Sequence, residues 1–156
     1  MDLGFHDDAA AEVQRLAAEE ELSIIHAFDD EDVIAGQGTM GLEILEQVPD
    51  VSVVVVPVGG GGMISGIACA IKEIKPDVRI IGVEADAAAS AKASRDAGEV
   101  VKIAVSDTLA DGIVTKRIGE ITYPLIERYV DELVSVGEEE IAAAILLLIE
   151  REKTVA

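Results

Sequence analysis

Four consecutive glycines at positions 59–62 are the residues of this sequence best suited to binding chemistry. They follow a valine-rich run at 51–58, and a helical pattern begins directly after them at Met63. Glycine lets the backbone adopt unusual dihedral angles and approach a ligand closely. The first turn of a helix carries unpaired N–H groups and a positive dipole end. The pattern therefore predicts an anion cradle, most simply for a phosphate, between a strand and a helix.

Neither of the two common phosphate-binding motifs is present in this loop. Ile64 occupies the position where the last glycine of Gly-x-Gly-x-x-Gly would fall, counted from Gly59, and no Gly-Lys-Ser/Thr follows. A tight turn that packs a strand closely against a helix is therefore an alternative explanation of the same glycines. Both explanations place the glycines at the carboxyl end of a strand.

Alternating strand and helix patterns surround the loop and predict an α/β fold. Residues 51–58 are almost all valine and show no alternation, which is typical of a strand buried on both faces of a parallel sheet. A helix is predicted at 63–75, and further strands at 79–84 and 130–136. The sum is a Rossmann-like, three-layer fold with a mostly parallel sheet and helices on both faces. Its ligand would lie beyond the carboxyl ends of the strands.

The remaining predicted elements come from capping residues and apolar spacing. Gly36 and Gly38 are expected to break the helical pattern between 34 and 40. The other predictions are a strand at 23–27, an irregular or strand-like segment at 100–105, and helices from Asp7 or Asp8 to 21, from Asp29 or Asp30 to 34, and at 40–47, 87–97, 118–128 and 137–152.

Composition and charge argue against several classes of protein. The 156 residues suit one domain, and the net charge of −19 argues against nucleic acid or a membrane surface as a partner. No apolar run is long enough to span a bilayer, and the first residues do not resemble a signal peptide. The single cysteine, Cys69, lies on the apolar side of a predicted helix, where a packing role is expected. These features predict a cytoplasmic protein.

Three further motifs accompany the glycine loop in a fixed order. They are Phe-Asp-Asp-Glu-Asp-Val-Ile-Ala-Gly-Gln-Gly-Thr-Met-Gly-Leu-Glu-Ile at 28–44, Thr-Leu-Ala-Asp-Gly-Ile at 108–113 and Val-Asp-Glu-Leu-Val-Ser-Val at 130–136. With these motifs the sequence resembles the threonine dehydratase (threonine ammonia-lyase) and serine racemase family. These are pyridoxal-phosphate enzymes of fold type II, the tryptophan synthase β type. The resemblance covers nearly the whole chain, but it corresponds only to the middle and later part of such an enzyme.

The resemblance implies which residues bind the cofactor. Gly59, Gly60, Gly61, Gly62 and Met63 would surround the phosphate of pyridoxal phosphate through their N–H groups, and Gly112 would lie beside the cofactor. An ordinary turn remains the alternative for residues 111–112. Residues 1–156 would form a single α/β domain, in which 1–47 resembles the end of the smaller domain and its return, and 48–156 resembles the larger phosphate-binding domain.

A divalent-cation site is a weaker implication of the same resemblance. In relatives similar to serine racemase, Glu84 would fall on an acidic ligand position and Ala88 could offer a carbonyl oxygen. Ser90 stands where a second acidic ligand would be expected, which makes the site doubtful because hard cations prefer several oxygen ligands. The favoured alternative is that Glu84 is a carboxylate at the end of a strand, exposed to solvent.

The resemblance also implies an activity that this chain is expected to lack. The full-length enzymes convert L-threonine to 2-oxobutanoate and ammonia with a lysine bound to the cofactor. No lysine of this sequence lies in that motif context, so no catalytic residue is assigned and the chain alone is expected to be inactive. His6 and His26 show no ligand spacing, and loop or core roles are expected for them.

Two other interpretations stay open. In the first, the chain is a non-catalytic module that binds a phosphorylated small molecule or oligomerises. In the second, the chain is half of an enzyme, and a second chain that carries the lysine completes it. A homo-oligomer formed through an exposed sheet edge is expected in either case.

Overall fold

The computed structural model describes the backbone of residues 5–154 and the side chains of residues 11–154. Its helices and strands alternate along the chain. Their bounds are α1 Phe5–Glu19, α2 Glu31–Gln47, β1 Val53–Pro57, α3 Gly62–Ile74, β2 Arg79–Ala85, α4 Ser90–Ala97, α5 Thr122–Tyr129, β3 Glu132–Val136 and α6 Glu138–Leu147. Short 3-10 helices lie at Asp86–Ala88 and Asp111–Ile113, and a π-helical turn at Leu148–Glu152 continues α6.

The three strands form one parallel sheet in the order β1-β2-β3. Val53 pairs with Arg79, and Ile81 pairs with Glu132, so the carboxyl ends of all three strands lie at the same edge. The predicted parallel α/β fold is confirmed. The glycine loop therefore leaves the sheet at the edge where such folds bind ligands.

The core lies between the sheet and the helices α3 and α5. Its fully buried members are large aliphatic side chains: Ile64 and Ile71 of α3, Ile80 of β2, Ile118 and Ile126. The spacing of Ile64 and Ile71 on one face of α3 is the apolar stripe predicted for this helix. Within the described residues, none of the helices has both the length and the apolar character needed to cross a membrane.

The prediction that the valine strand is buried on both faces is wrong. Val53 and Val55 are 44% and 59% exposed, whereas Val56 is 3% exposed. Among residues 5–154, β1 is an edge strand that pairs with β2 alone. Because side chains alternate along a strand, the even-numbered valines point to α3 and the odd-numbered ones to the opposite face.

The predicted break at 36–39 is also wrong, because α2 is one continuous helix. Its glycines lie where the helix contacts α3. A Cβ atom at Gly38 would come within 3.2 Å of the carbonyl oxygen of Gly66, and one at Gly41 within 2.9 Å of the carbonyl oxygen of Ile67. Close packing of the two helices thus offsets the low helix propensity of glycine.

Several other boundaries differ from the predictions. α1 begins at Phe5, before the predicted Asp7 or Asp8, whose side chains lie outside the described ones. Residues 23–27 are irregular rather than a strand, whereas 100–105 are irregular, which is one of the two alternatives predicted for them. α5 begins only at Thr122, whereas Gly98 ends α4 with a φ of 76°, as the sequence predicts for a helix-terminating glycine.

Candidate phosphate-binding site

The glycine loop joins the end of β1 to the first turn of α3. The N–H of Val58 still donates to the sheet, to the carbonyl of Val83 at 2.8 Å. Gly61 then takes a φ of 94°, in the left-handed region that favours glycine. The first hydrogen bond of α3 runs from the N–H of Ser65 to the carbonyl of Gly61, at 3.0 Å. Within residues 5–154, the N–H groups of residues 61–64 have no acceptor.

A cavity of about 280 Å³ lies at this loop. It brings together the predicted residues Gly59, Gly60, Gly61, Gly62, Met63 and Gly112. The other lining residues are Ala27, Phe28, Gln37, Pro57, Ile64, Ile113 and Thr115. Their roles in binding stay predictions, but the structure shows that a segment some fifty positions downstream reaches the glycine loop, as the resemblance implied.

Charged side chains are absent from the described lining of this cavity. The chain carries 31 acidic residues and a net charge of −19, so an uncharged lining is unexpected from composition. Unpaired N–H groups at a helix start, without a nearby carboxylate, form the environment that favours an anion. The arrangement therefore suits a phosphate group held by backbone donors.

Phe28 packs against the loop and also lines the cavity. A Cβ atom at Gly60 would lie 2.3 Å from the Phe28 ring, and one at Gly62 would lie 2.8 Å from the Phe28 carbonyl oxygen. Close packing therefore accounts for these two glycines, as the alternative explanation proposed. It does not account for the unpaired N–H groups, for which anion binding stays a prediction.

His26 holds the turn that carries Phe28. Its Nδ1 atom accepts the N–H groups of Phe28 and Asp29 at 3.3 and 3.0 Å, and its ring meets the Phe28 ring edge-on, with centroids 4.5 Å apart. The loop role expected for His26 agrees with this contact. The side chain of His6 lies outside the described residues.

Asp29 connects this turn to the start of α5. Its carboxylate accepts the N–H groups of Glu120 at 2.9 Å, of Ile121 at 2.8 Å and of Thr122 at 3.3 Å. The sequence predicted that Asp29 or Asp30 caps α2. Asp30 is that cap, whereas Asp29 caps a helix more than ninety positions away.

Thr122 also contacts the glycine loop. Its fully buried hydroxyl donates to the carbonyl of Gly60 at 2.8 Å and accepts the N–H of Gly119 at 2.9 Å. Sequence reasoning assigned no role to Phe28 or Thr122 individually. The only available signal was that Phe28 begins one of the family motifs.

Glu84 is not exposed to solvent, so the interpretation favoured from the sequence is wrong. It is fully buried at the carboxyl end of β2. Its two carboxylate oxygens accept the N–H groups of Ala91 at 2.7 Å and Lys92 at 2.8 Å, in the first turn of α4. Burial raises the pKa of Glu84, although these hydrogen bonds and the nearby charge of Lys92 act in the opposite direction.

The proposed cation site gains no support from the geometry. Ala88 and Ser90 are buried near this helix start, and the Ser90 hydroxyl lies 3.4 Å from that of Thr115. In the described part of the chain, no cluster of three His, Cys, Asp or Glu side chains could hold a metal ion. The role of Glu84 and Ala88 as metal ligands stays a prediction from resemblance.

The raised pKa of Glu84 predicts how stability changes with pH. In the unfolded chain this carboxyl ionises at the ordinary glutamate pKa, whereas in the folded protein it ionises at higher pH. Glu84 therefore contributes stability at low pH that is lost as the pH rises through its folded-state pKa. The slope is at most about 1.4 kcal/mol per pH unit.

Replacing Glu84 with glutamine is expected to remove this loss from the pH profile. Urea unfolding of the unmodified protein and of Glu84→Gln, from pH 4 upward, measures this loss of stability. The readout is the difference between their free energies of unfolding at each pH. Other carboxyl groups cancel in that difference. A difference that stays constant with pH would contradict the raised pKa.

Three lysine side chains contact groups outside the cavity lining. Only 14% of the Lys72 side chain is exposed, and its Nζ pairs with Asp131 at 2.8 Å. Lys75 donates to the carbonyl of Pro49, and Lys92 pairs with Asp96 at 3.6 Å. Of the described residues that line the cavity, none is a lysine.

Comparisons with known proteins agree with the resemblance. The family described as "Pyridoxal-phosphate dependent enzyme" matches residues 3–156. The chain is 50% identical over 150 residues to L-threonine ammonia-lyase of Thermotoga maritima, covering 96% of this chain and 37% of that protein. It is 44% identical over 149 residues to the catabolic L-threonine dehydratase TdcB of Escherichia coli K12, covering 96% and 45%.

Solved structures show the same similarity. The processed form of threonine deaminase isoform 2 from Solanum lycopersicum matches with a TM-score of 0.87 and 40% identity, covering 91% of this chain and 41% of that one. Serine racemase from Dictyostelium discoideum matches with a TM-score of 0.83 and 36% identity, covering 92% and 46%. The chain thus spans less than half the length of these relatives.

Proposed function

This chain belongs to the pyridoxal-phosphate dependent enzyme family, and we propose that it forms the phosphate-binding part of a threonine dehydratase-like enzyme. The observation that carries the proposal is the cavity at the glycine loop, with its unpaired N–H groups and its uncharged lining. Two relatives are named L-threonine ammonia-lyase and L-threonine dehydratase, which supplies the reaction class. The resemblance stated from the sequence implies 2-oxobutanoate and ammonia as the products.

The residues of the loop would hold the cofactor by its phosphate. The N–H groups of residues 61–64 would donate to the phosphate oxygens, and Gly59 and Gly112 would form adjacent parts of the wall. When bound, pyridoxal phosphate withdraws electrons from an attached amino acid, which is the chemistry that such enzymes need. The chain itself would contribute binding and orientation, because neither an acid nor a base is among the described lining residues.

We further propose that the chain alone does not turn over threonine. The family reaction uses a lysine at the cofactor, and the cavity has no lysine among its described lining residues. In this proposal residues 1–47 correspond to the end of the smaller domain and its return, and 48–156 correspond to the larger domain. Packing of α2 on α3 joins the two parts through glycine contacts.

The test combines a binding and an activity measurement on the purified chain. Calorimetric titration with pyridoxal phosphate is expected to show saturable binding, and an assay for 2-oxobutanoate from L-threonine is expected to show no turnover. Adding the part of the Thermotoga maritima relative that precedes the matched segment tests complementation, in which activity appears only with both chains. Turnover by the chain alone would contradict the proposed inactivity, and absence of binding would contradict the phosphate site.

A non-catalytic module that binds phosphorylated small molecules is the second candidate function. The cavity lining favours this candidate, because its described residues include no lysine and a module that only binds a phosphate group does not need one. Competition separates the two candidates. If inorganic phosphate and pyridoxal phosphate bind with similar affinity, the generic module is supported. If pyridoxal, which lacks the phosphate, displaces pyridoxal phosphate as effectively as inorganic phosphate does, the site does not recognise the phosphate and neither candidate function is supported.

We also propose that the chain forms a homo-oligomer through the edge of its sheet. In the described part of the chain β1 pairs on one side only, and Val53 and Val55 leave an apolar surface beside that edge. Light scattering is expected to show a dimer or larger species, and Val55→Lys is expected to shift the protein toward monomer. A monomer of the unmodified chain at high concentration would refute this.

A further inference from the structure

We infer that Thr122 is the positioning residue of the phosphate loop. This rests on the proposed function and concerns how the loop is held ready for its ligand. The Thr122 side chain is completely buried, and its hydroxyl donates to the carbonyl of Gly60 at 2.8 Å. The N–H of Gly119 donates to the same carbonyl at 3.1 Å. Two donors thus fix the orientation of one carbonyl group in a segment of four glycines.

The orientation of that carbonyl decides where the next N–H points. A trans peptide unit is planar, with its carbonyl and its N–H on opposite sides. Because the carbonyl of Gly60 points toward Thr122, the N–H of Gly61 points away from it. Within residues 5–154 this N–H has no acceptor, and Gly61 lines the cavity. The Thr122 hydroxyl therefore holds one anion donor in place without contacting the ligand.

The surroundings of Thr122 hold its hydroxyl in place. Asp29 binds the N–H groups that begin α5, including that of Thr122 at 3.3 Å. The hydroxyl of Ser65, which is also fully buried, lies 3.4 Å from the Thr122 carbonyl and ties α5 to the helix that follows the loop. A Cβ atom at Gly61 would lie 2.8 Å from the Thr122 hydroxyl, so the two residues are in close contact.

The conformational freedom of glycine is the reason that the loop needs the hydrogen bond from Thr122. A segment of four glycines samples many backbone conformations in the absence of side-chain constraints. If the Gly60–Gly61 peptide rotated, its carbonyl would face the cavity and repel an anion. Loss of the Thr122 hydroxyl also leaves a buried acceptor with fewer donors, which disfavours the ordered loop.

The test compares Thr122→Val with Thr122→Ser in the full chain. Valine keeps the shape of the side chain and removes the hydroxyl, whereas serine keeps the hydroxyl. We expect Thr122→Val to weaken pyridoxal phosphate binding about 10-fold or more, the loss typical of a buried hydrogen bond. Thr122→Ser is expected to stay within about 3-fold of the unmodified chain, on the same basis.

Ile80→Val serves as the control for a general loss of stability. Ile80 is fully buried in β2 and is not among the residues that line the cavity. This variant is expected to lower the melting temperature while leaving binding unchanged. Equal binding by Thr122→Val and the unmodified chain would overturn the inference, and so would equal weakening by Thr122→Val and Ile80→Val.

Nuclear magnetic resonance of the loop amides makes the inference testable without a ligand. Thr122→Val is expected to shift the amide signals of residues 60–64 and to speed their hydrogen exchange, and Thr122→Ser is expected to restore both. Unchanged loop signals in Thr122→Val would overturn the positioning role. If the unmodified chain binds no pyridoxal phosphate while these signals respond as expected, the proposed function fails and the positioning role stands.

Discussion

Replacing Gly66 with alanine is expected to destabilise the protein by about 3 kcal/mol or more, the upper part of the range for overpacking. Gly66 is the buried contact point of α3 with α2. A Cβ atom there would lie 2.3 Å from the carbonyl oxygen of Ile34 and 2.6 Å from the backbone nitrogen of Gly38. Both atoms belong to the backbone, so no side-chain rotation can relieve the clash. The two helices would have to separate along their whole contact.

Gly36→Ala provides a matched control in the neighbouring helix. Apart from its chain neighbours and the nearby backbone of α2 itself, a Cβ atom at Gly36 meets no atom of the described residues within 4 Å. The same substitution is therefore expected to stabilise α2 by about 0.5–1 kcal/mol, since alanine has the higher helix propensity. Urea unfolding of the three proteins measures both effects. If Gly66→Ala proves as stable as the unmodified protein, the helix contact described here is incorrect.

Replacing Gly61 with aspartate is expected to abolish measurable binding of pyridoxal phosphate. The backbone at Gly61 has a φ of 94°, which a residue with a side chain adopts only with strain. A Cβ atom would also press on the Thr122 hydroxyl at 2.8 Å and on the side chain of Ile126 at 2.9 Å. In addition, a carboxylate near the cradle repels a phosphate by about 1–4 kcal/mol at a separation near 4 Å.

Gly61→Ala separates the effect of a distorted loop on binding from the effect of the added charge. Both variants distort the loop, but only aspartate adds a negative charge, so alanine is expected to weaken binding about 10-fold through strain of 1–2 kcal/mol. Calorimetric titration measures affinity, and a thermal melt confirms that each variant is folded at the titration temperature. Gly36→Ala again serves as the control that should bind normally. Retained binding in folded Gly61→Asp would exclude the glycine loop as the phosphate site.

Elements with a strong local signal were predictable from the sequence. The apolar stripe of α3 at spacings of three and four gave its bounds to within one residue, 63–75 against Gly62–Ile74. The strand predicted at 79–84 was observed at Arg79–Ala85. In both cases the periodicity of apolar side chains is set by the element itself, so no knowledge of neighbours is needed.

The errors concern residues whose environment depends on neighbouring elements. Gly36 and Gly38 look like helix breakers in sequence, yet α2 passes through them because α3 packs against its glycine face. Glu84 looks like a solvated strand end, yet it is buried where it caps α4. A local pattern reports propensity, and long-range packing overrides it at these positions.

The candidate site likewise has one part that the sequence determines and another that depends on packing. The sequence by itself determined the local structure on which the predicted anion cradle rests, because a strand, four glycines and a helix start are contiguous and the directions of their N–H groups follow from backbone geometry. Only the tertiary structure decided what holds the cradle in shape. Phe28 and Thr122 both contact the loop, and they come from positions about thirty and sixty residues away along the chain. Contacts between such distant residues arise from the packing of helices on the sheet, which no local pattern encodes.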